Sequence, residues 1–170
     1  MALFPPERET SFDVLSLSES GFSTDEQIMV ISEKIEDLEY TFDVNGFDYE
    51  HWPLDVSYDM SMIIEQLEHI SAMLGAGRDF EIRFDGYRLV ISCKPRGGAV
   101  EMNCRSDFPN RGPTPGTRCI DTMVLASMFC RLSMDFLKAS NEVASGHDLG
   151  AWSERIVASL RPDVRSDPQR

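Results

Sequence analysis

The fold is decided by residues 80–105, which read FEIRFDGYRLVISCKPRGGAVEMNCR. Apolar and polar residues alternate along three runs, and Asp85-Gly86 and Gly97-Gly98 separate these runs. Alternation with a period of two is typical of strands that are buried on one side, and Asp-Gly and Gly-Gly are typical of hairpin turns. We therefore expect an antiparallel meander of three strands, at residues 80–84, 87–94 and 99–105.

The two turns predict how these strands pair. If Asp85-Gly86 is a two-residue loop, Phe84 pairs with Tyr87; the second turn pairs Cys93 with Met102. In this register the apolar residues of all three strands face one side of the sheet, where a core would form. These residues are Phe80, Ile82, Phe84, Tyr87, Leu89, Ile91, Cys93, Val100, Met102 and Cys104.

A second hairpin is predicted before the meander. Residues 40–44 and 47–50 alternate around Asn45-Gly46, the strongest short hairpin signal. In a two-residue loop at this position Asp43 would lie directly opposite Asp48, and like charges so placed destabilise a strand pair.

Helices are predicted around these strands. Ser23 and Glu26 form a capping box that opens a helix at about 24–37. Ser57 or Asp59 would cap a second helix, at about 58–74, and Asp121 would cap the longest. The third and fourth helices are expected at about 121–140 and 149–160.

The fold class that follows is α+β, with an antiparallel sheet from the N-terminal hairpin and the three-strand meander, packed against three to four helices. We expect an N-terminal arm at 1–22, a single domain at 23–160 and a flexible tail at 161–170. Residues 106–118 contain three prolines and two glycines, which predicts an irregular, exposed connection that could contribute to binding.

Charge is distributed unevenly along the chain. Residues 1–70 carry 17 acidic and 2 basic residues, a net charge of −15, and residues 71–170 carry 12 and 14, a net charge of +2. The total of −13 argues against a nucleic-acid partner, because a binder must neutralise phosphates with Lys and Arg. It favours a basic protein partner attracted by electrostatic steering. Maintenance of solubility is the alternative role of the acidity.

No motif indicates catalysis, and we expect neither a metal nor a cofactor. The four cysteines form no C-x-x-C pair, and we expect reduced, buried thiols. None of the three histidines has a second ligand at metal spacing, and the glycine-rich turns lack a phosphate-loop pattern. Without a basic, apolar leader or a stretch of roughly 20 apolar residues, we expect a cytoplasmic protein that does not enter the membrane.

The candidate binding site is the acidic region 39–59, which contains no Lys or Arg. Carboxylates there could receive a basic surface, and nearby aromatic residues could anchor it. The alternative is a solvated acidic face with the aromatic residues buried beneath it. The predicted partner-binding residues are Glu39, Asp43, Asp48, Tyr49, Glu50, Trp52, Asp55 and Asp59.

From Glu39 to Lys138 the order of hairpin, helix, meander and long helix resembles that of the small acidic immunity proteins of bacterial polymorphic toxin systems. The resemblance rests on no specific motif, so it assigns no residue a role. It implies a non-catalytic cytoplasmic inhibitor that occludes a nuclease or another toxin, with the hairpin carboxylates masking the toxin's active site. The alternative is an acidic, dimeric secretion chaperone for an effector, with a dimer face at Cys130, Met134 and Phe136 of the long helix.

Overall fold

The computed structural model describes residues 1–5, 14–17, 21–52, 54–107 and 113–160. The fold is α+β, as predicted. Helix α2 packs against a four-stranded antiparallel sheet in the order β4-β5-β6-β7, α3 and α4 pack on α2, and α1 packs on α2 and α3. The elements are β1 (Ala2–Phe4), β2 (Leu15–Ser16), α1 (Thr24–Asp37), β3 (Thr41–Asp43), a π-helical turn (Val56–Met60), α2 (Ser61–Gly75), β4 (Phe80–Phe84), a 3₁₀ turn (Asp85–Tyr87), β5 (Leu89–Arg96), β6 (Ala99–Ser106), β7 (Gly116–Asp121), α3 (Thr122–Val143), β8 (Ala144–Ser145) and α4 (Leu149–Leu160).

The meander is confirmed, with one change of register. Cys93 pairs with Met102 as predicted, but Phe84 pairs with Leu89 instead of Tyr87. The first connection takes four residues because a 3₁₀ turn is followed by Arg88 in the left-handed region, at φ 44°. A shift of two residues keeps the paired side chains of β4 and β5 on their predicted faces, so Phe80, Ile82 and Phe84 remain in the core, but Tyr87, predicted as a strand residue, belongs to the 3₁₀ turn.

A fourth strand joins the sheet where an irregular connection was predicted. The segment Gly116–Asp121 pairs antiparallel with β6. The prediction of a loop over 106–118 is therefore wrong for its last three residues, because the free edge of β6 supplies the hydrogen-bonding partner that local sequence does not reveal. Residues 108–112 of that loop lie outside the described ranges.

The helices begin and end close to their predicted positions. Helix α1 opens on the capping box, in which Ser23 Oγ accepts from the Glu26 N–H and the Glu26 carboxylate accepts from the Ser23 N–H. Asp121 caps α3 as predicted. The cap before α2 is neither Ser57 nor Asp59 but Asp55, whose carboxylate accepts from two backbone N–H groups of the π-helical turn.

The N-terminal two-stranded sheet is antiparallel, but it is not built around Asn45-Gly46. Strand β3 pairs instead with β1, and Phe42 lies opposite Leu3. Both of these side chains are buried, which explains why β1 displaces the predicted partner strand 47–50. Among the described parts of the predicted arm, Leu17 is also buried, and β2 pairs with β8.

The predicted tail at 161–170 lies outside the described residues. Within the part of the chain that is described, no helix is both long enough and apolar enough to span a membrane.

Candidate functional site

The predicted acidic site folds as a compact loop, residues 43–51, which we call the acidic loop. Gly46 and Tyr49 exchange two backbone hydrogen bonds, of 3.1 and 3.2 Å, so that Phe47 and Asp48 occupy the centre of the turn. Both central residues have positive φ, 52° and 57°. The predicted turn is therefore displaced by two residues, and Asp43 and Asp48 do not face each other.

Burial of aromatic rings explains this displacement. Phe47 is buried, and its ring contacts that of Trp52 with the ring centroids 6.5 Å apart. Trp52 also donates its backbone N–H to the Val44 carbonyl and its Nε1–H to the Gly46 carbonyl. Burying the two aromatic side chains contributes about 3–6 kcal/mol, which offsets the roughly 2–4 kcal/mol that the two left-handed residues of the turn cost.

The backbone of the acidic loop is strained at a third position. His51 has φ 53°, so three non-glycine residues within five positions lie in the left-handed region. Such residues persist only where the surrounding structure imposes them, and they are concentrated at functional sites. In this loop the strain presents Asp48, Glu50 and His51 to solvent, above the buried Phe47 and Trp52.

Two basic side chains contact carboxylates of the acidic loop. His51 Nδ1 lies 2.9 Å from Asp43 Oδ1, and Arg118 of β7 donates to the Asp48 carboxylate. The hydrogen bond to Asp43 raises the pKa of His51 above its ordinary value of 6.5, and the charges of Asp43 and then Glu50 add to the effect. Glu50 is exposed and forms no ion pair with any residue of the described ranges.

The acidic loop is attached to the sheet at the start of β7. The Thr114 N–H donates to the Phe47 carbonyl at 2.9 Å, and Arg118 reaches Asp48 from the strand. Sequence inspection did not identify His51 or Arg118 as members of the site. No local pattern could have revealed Arg118, because it lies 70 positions from Asp48.

The structure separates the predicted site residues into surface and buried groups. Asp48 and Glu50 are exposed on the loop, Asp43 and Tyr49 are half-buried, and exposed Glu39 follows α1. Trp52 (5% exposed) and Asp59 (1% exposed) lie beneath the surface, and Asp55 is occupied as a helix cap. A partner can therefore contact only part of the predicted set, and the alternative prediction of buried aromatic residues describes Trp52 correctly.

The chemistry available at the loop is the binding of cations. Asn45, Gly46, Asp48, Tyr49, Glu50 and His51 line an open hollow of about 700 Å³. His51 and Asp43 resemble part of a catalytic triad, but no hydroxyl or thiol group of the described residues hydrogen-bonds to His51. The described residues also contain no group of three or more His, Cys, Asp or Glu placed to hold a metal ion.

A second cleft, which was not predicted, lies between α2 and β4. It has a volume of about 510 Å³. Burial raises the pKa of Glu65 in this cleft, and the nearby Asp25 charge acts in the same direction. Glu81, by contrast, is neutralised by Arg83 and Arg105. The cleft is therefore lined by the exposed carboxylates of Glu65 and Asp85 and by half-buried Glu81, whose charge Arg83 and Arg105 offset.

The cysteines correspond only partly to the prediction of buried thiols. Cys93 and Cys104 are buried, and burial raises the pKa of their thiols to about 12 and about 11. Cys119, on β7, is exposed, and Cys130 is half-buried. All four are free cysteines.

Comparison with known proteins identifies no family model that matches the chain, no similar curated protein and no similar solved structure.

Proposed function

We propose that this protein is a non-catalytic binding protein whose acidic loop docks on a basic protein and neutralises it. The observation that carries the proposal is the presentation of Asp48 and Glu50 on a strained turn anchored by buried aromatic rings. A rigid anchor reduces the entropy that is lost on binding, and exposed carboxylates accelerate the encounter with a cationic surface.

The partner class that fits best is a toxin such as a nuclease, whose nucleic-acid-binding surface is necessarily basic. This assignment extends the resemblance to immunity proteins of bacterial polymorphic toxin systems. In this role the loop carboxylates would occupy the positions that phosphates take in the toxin's active site, and the inhibitor would need no catalytic residue.

The chaperone alternative is less well supported by α3. Of the three residues expected to form a dimer face, Phe136 is fully buried against Trp152, and Cys130 is half-buried. Met134 alone of the three is exposed, and one methionine does not form an apolar groove for an unfolded segment.

The proposal predicts selective capture of a basic protein from lysate of the source organism. The wild-type protein and a Glu33→Lys control are expected to retain a folded protein with a basic isoelectric point, and Glu50→Lys is expected to lose most of it. Both substitutions change net charge equally at exposed positions, but Glu33 lies on α1, away from the loop. Captured proteins are identified by mass spectrometry and assayed for activity with and without the inhibitor.

Equal loss of capture with both variants would show that the interaction is nonspecific charge attraction. A captured protein whose activity is unaffected by saturating inhibitor would contradict the neutralising role. Circular dichroism of each variant establishes that it is folded.

A further inference from the structure

The two edges of the four-stranded sheet differ in how their backbone groups are satisfied. At the β4 edge, the Gln66 side chain takes the place of a neighbouring strand. Its Nε2 donates to the Arg83 carbonyl at 2.9 Å, and its Oε1 accepts from the Arg83 N–H at 3.0 Å. This amide closes the centre of the edge to further strand pairing.

The hydrogen bonds between β7 and β6 determine which backbone groups of β7 face outward. The Thr122 N–H donates to the Gly98 carbonyl at 2.9 Å, and these two residues continue the register in which Asp121 lies opposite Ala99. Because bonded and non-bonded pairs alternate in antiparallel ladders, Arg118 and Ile120 direct their backbone groups towards β6. The backbone groups of Thr117, Cys119 and Asp121 therefore point away from the sheet.

A side-chain contact supports this phase. Arg118 Nη1 donates to the Thr117 carbonyl at 3.0 Å, which places that oxygen outside the ladder with β6. Within the described part of the chain, residues 117–120 make no backbone hydrogen bond to any segment other than β6, whereas the Asp121 carbonyl, at the N-cap, accepts the first hydrogen bond of α3.

At the β7 edge the Arg118 side chain occupies one outward-facing acceptor, the Thr117 carbonyl, but no side chain of the described residues hydrogen-bonds to the Cys119 backbone. Residues 117–121 contain no proline and no lysine, and their side chains are exposed except at half-buried Ile120. Two apolar side chains follow directly at the start of α3, Met123 (56% exposed) and Val124 (51% exposed). An edge strand whose central backbone groups are open, beside exposed apolar side chains, is typical of a surface that pairs with another chain.

We propose that β7 pairs with β7 of a second copy of this protein about a two-fold axis at Cys119, which joins the two sheets into one of eight strands. The two-fold axis makes the paired strands antiparallel, and the outward-facing residues 117, 119 and 121 are symmetric about Cys119. In this register the two Cys119 residues exchange backbone hydrogen bonds, and Thr117 of each copy faces Asp121 of the other.

Charge complementarity favours a second copy as the occupant of this edge. Arg118 and Asp121 are the charged residues of β7, so the strand itself carries no net charge despite the −13 of the chain. Arg118 faces Ile120 of the second copy, and no like charges lie directly opposite each other. A basic partner, by contrast, would be drawn to the exposed carboxylates of the acidic loop, which meets the β7 edge where Arg118 binds Asp48.

The pairing predicts a specific cross-link. Directly bonded antiparallel residues have Cα atoms about 5.5 Å apart, and their Cβ atoms, also about 5.5 Å apart, lie beyond the roughly 3.5–4.5 Å of a direct disulfide. We expect a bismethanethiosulfonate with a two-carbon spacer, which joins two thiols through two disulfides and releases two sulfinates, to convert the wild-type protein to a covalent dimer linked through Cys119. The Cys119→Ser/Thr117→Cys variant moves the thiol away from the axis. The two Cys thiols of the variant dimer are then about four residues apart along the strands, or about 13 Å at roughly 3.3 Å per residue. This control is expected to cross-link at least about tenfold more slowly.

Sedimentation velocity under reducing conditions tests the noncovalent dimer. Protein concentrations of about 10 µM to about 1 mM are needed because a strand pair buries less surface than the standard interface of roughly 1,600 Å², so we expect weak association. We expect concentration-dependent dimerisation that Cys119→Ser retains. Cys119→Pro removes two hydrogen bonds at the axis and is expected to weaken the dimer about tenfold or more. It should remain folded, because proline is tolerated where an edge N–H faces solvent. A wild-type protein that is monomeric throughout this range, or a Thr117→Cys variant that cross-links as fast as wild type, would overturn the inference.

Discussion

At the scale of single residues, Asp59 is a carboxylic acid placed in the core. It is 1% exposed; its Oδ2 accepts from the Asp55 N–H at 3.0 Å, and its Oδ1 has no hydrogen-bond partner. Burial raises the pKa of Asp59 from its ordinary value of 3.8 to about 6. The hydrogen bond from Asp55 opposes this shift, and the negative charge of Asp55 adds to it.

The raised pKa of Asp59 predicts that the free energy of unfolding falls as the pH rises. Because its folded pKa lies above its ordinary value, protonation favours the folded state, and this contribution is lost between about pH 4 and pH 6. A shift of about two units corresponds to about 2–3 kcal/mol. Asp59→Asn keeps the acceptor oxygen without the charge, so we expect it to raise the free energy of unfolding by about 1–3 kcal/mol at pH 8 and by less at pH 5.

Urea unfolding at the two pH values measures this effect. Asp59→Ala serves as the matched control, because it removes the charge together with the acceptor for the Asp55 N–H. It should gain less stability than Asp59→Asn at pH 8. An Asp59→Asn variant that is less stable than wild type at pH 8 would show that the ionised carboxylate is needed.

At the scale of elements, the contact between α2 and α4 depends on the absence of a side chain at Gly75. A Cβ atom built there would lie 1.9 Å from the Ser159 carbonyl oxygen, which belongs to the backbone of α4 and cannot rotate away. We expect Gly75→Ala to destabilise the protein by about 2–4 kcal/mol, because the clash outweighs the gain of up to about 1 kcal/mol in helix propensity. Gly150→Ala on α4 meets no atom within 4 Å and should be neutral or slightly stabilising. Urea unfolding of both variants shows whether the clash or the gain in helix propensity dominates at Gly75. A Gly75→Ala variant as stable as Gly150→Ala would exclude the clash.

Elements with strong local signals could be predicted from the sequence. The capping box at Ser23 and the cap at Asp121 fix the starts of α1 and α3, because each uses side chains within three residues of the helix end. Elements that depend on distant partners could not be predicted. Strand β7 has little alternation of its own, and its ladder partner β6 precedes it across a proline-rich connection.

The acidic loop shows the same limit within the candidate site. Asn45-Gly46 is the stronger turn signal, yet the turn forms at Phe47-Asp48 because the joint burial of the Phe47 and Trp52 side chains offsets the cost of the left-handed backbone. The cluster of carboxylates in this region was visible in the sequence. The pairing of Asp48 with Arg118 depends on tertiary structure, and the displaced turn removes the opposition predicted between Asp43 and Asp48.

At the scale of the whole molecule, the first seventy residues carry a charge of −15 and the remainder +2. Under the proposed function, this asymmetry attracts a basic partner towards the acidic loop before contact. Exposed charges are screened within about 8–10 Å at physiological ionic strength, so the association rate with the captured partner should fall steeply as salt is raised. The dissociation rate should change little, because it reports contacts already formed.

His51 adds a dependence on pH to this attraction. Its pKa is raised above 6.5 by Asp43, so at pH 6 the protonated imidazole offsets one carboxylate of the loop. Association with a cationic partner should therefore be faster at pH 8 than at pH 6, by roughly twofold to tenfold at low salt, the lower part of the range for steering effects. Stopped-flow rates for wild type and His51→Gln isolate this contribution, since titration of the partner affects both proteins equally. An on-rate that is independent of salt, or a pH dependence that His51→Gln retains in full, would place the encounter surface elsewhere on the molecule.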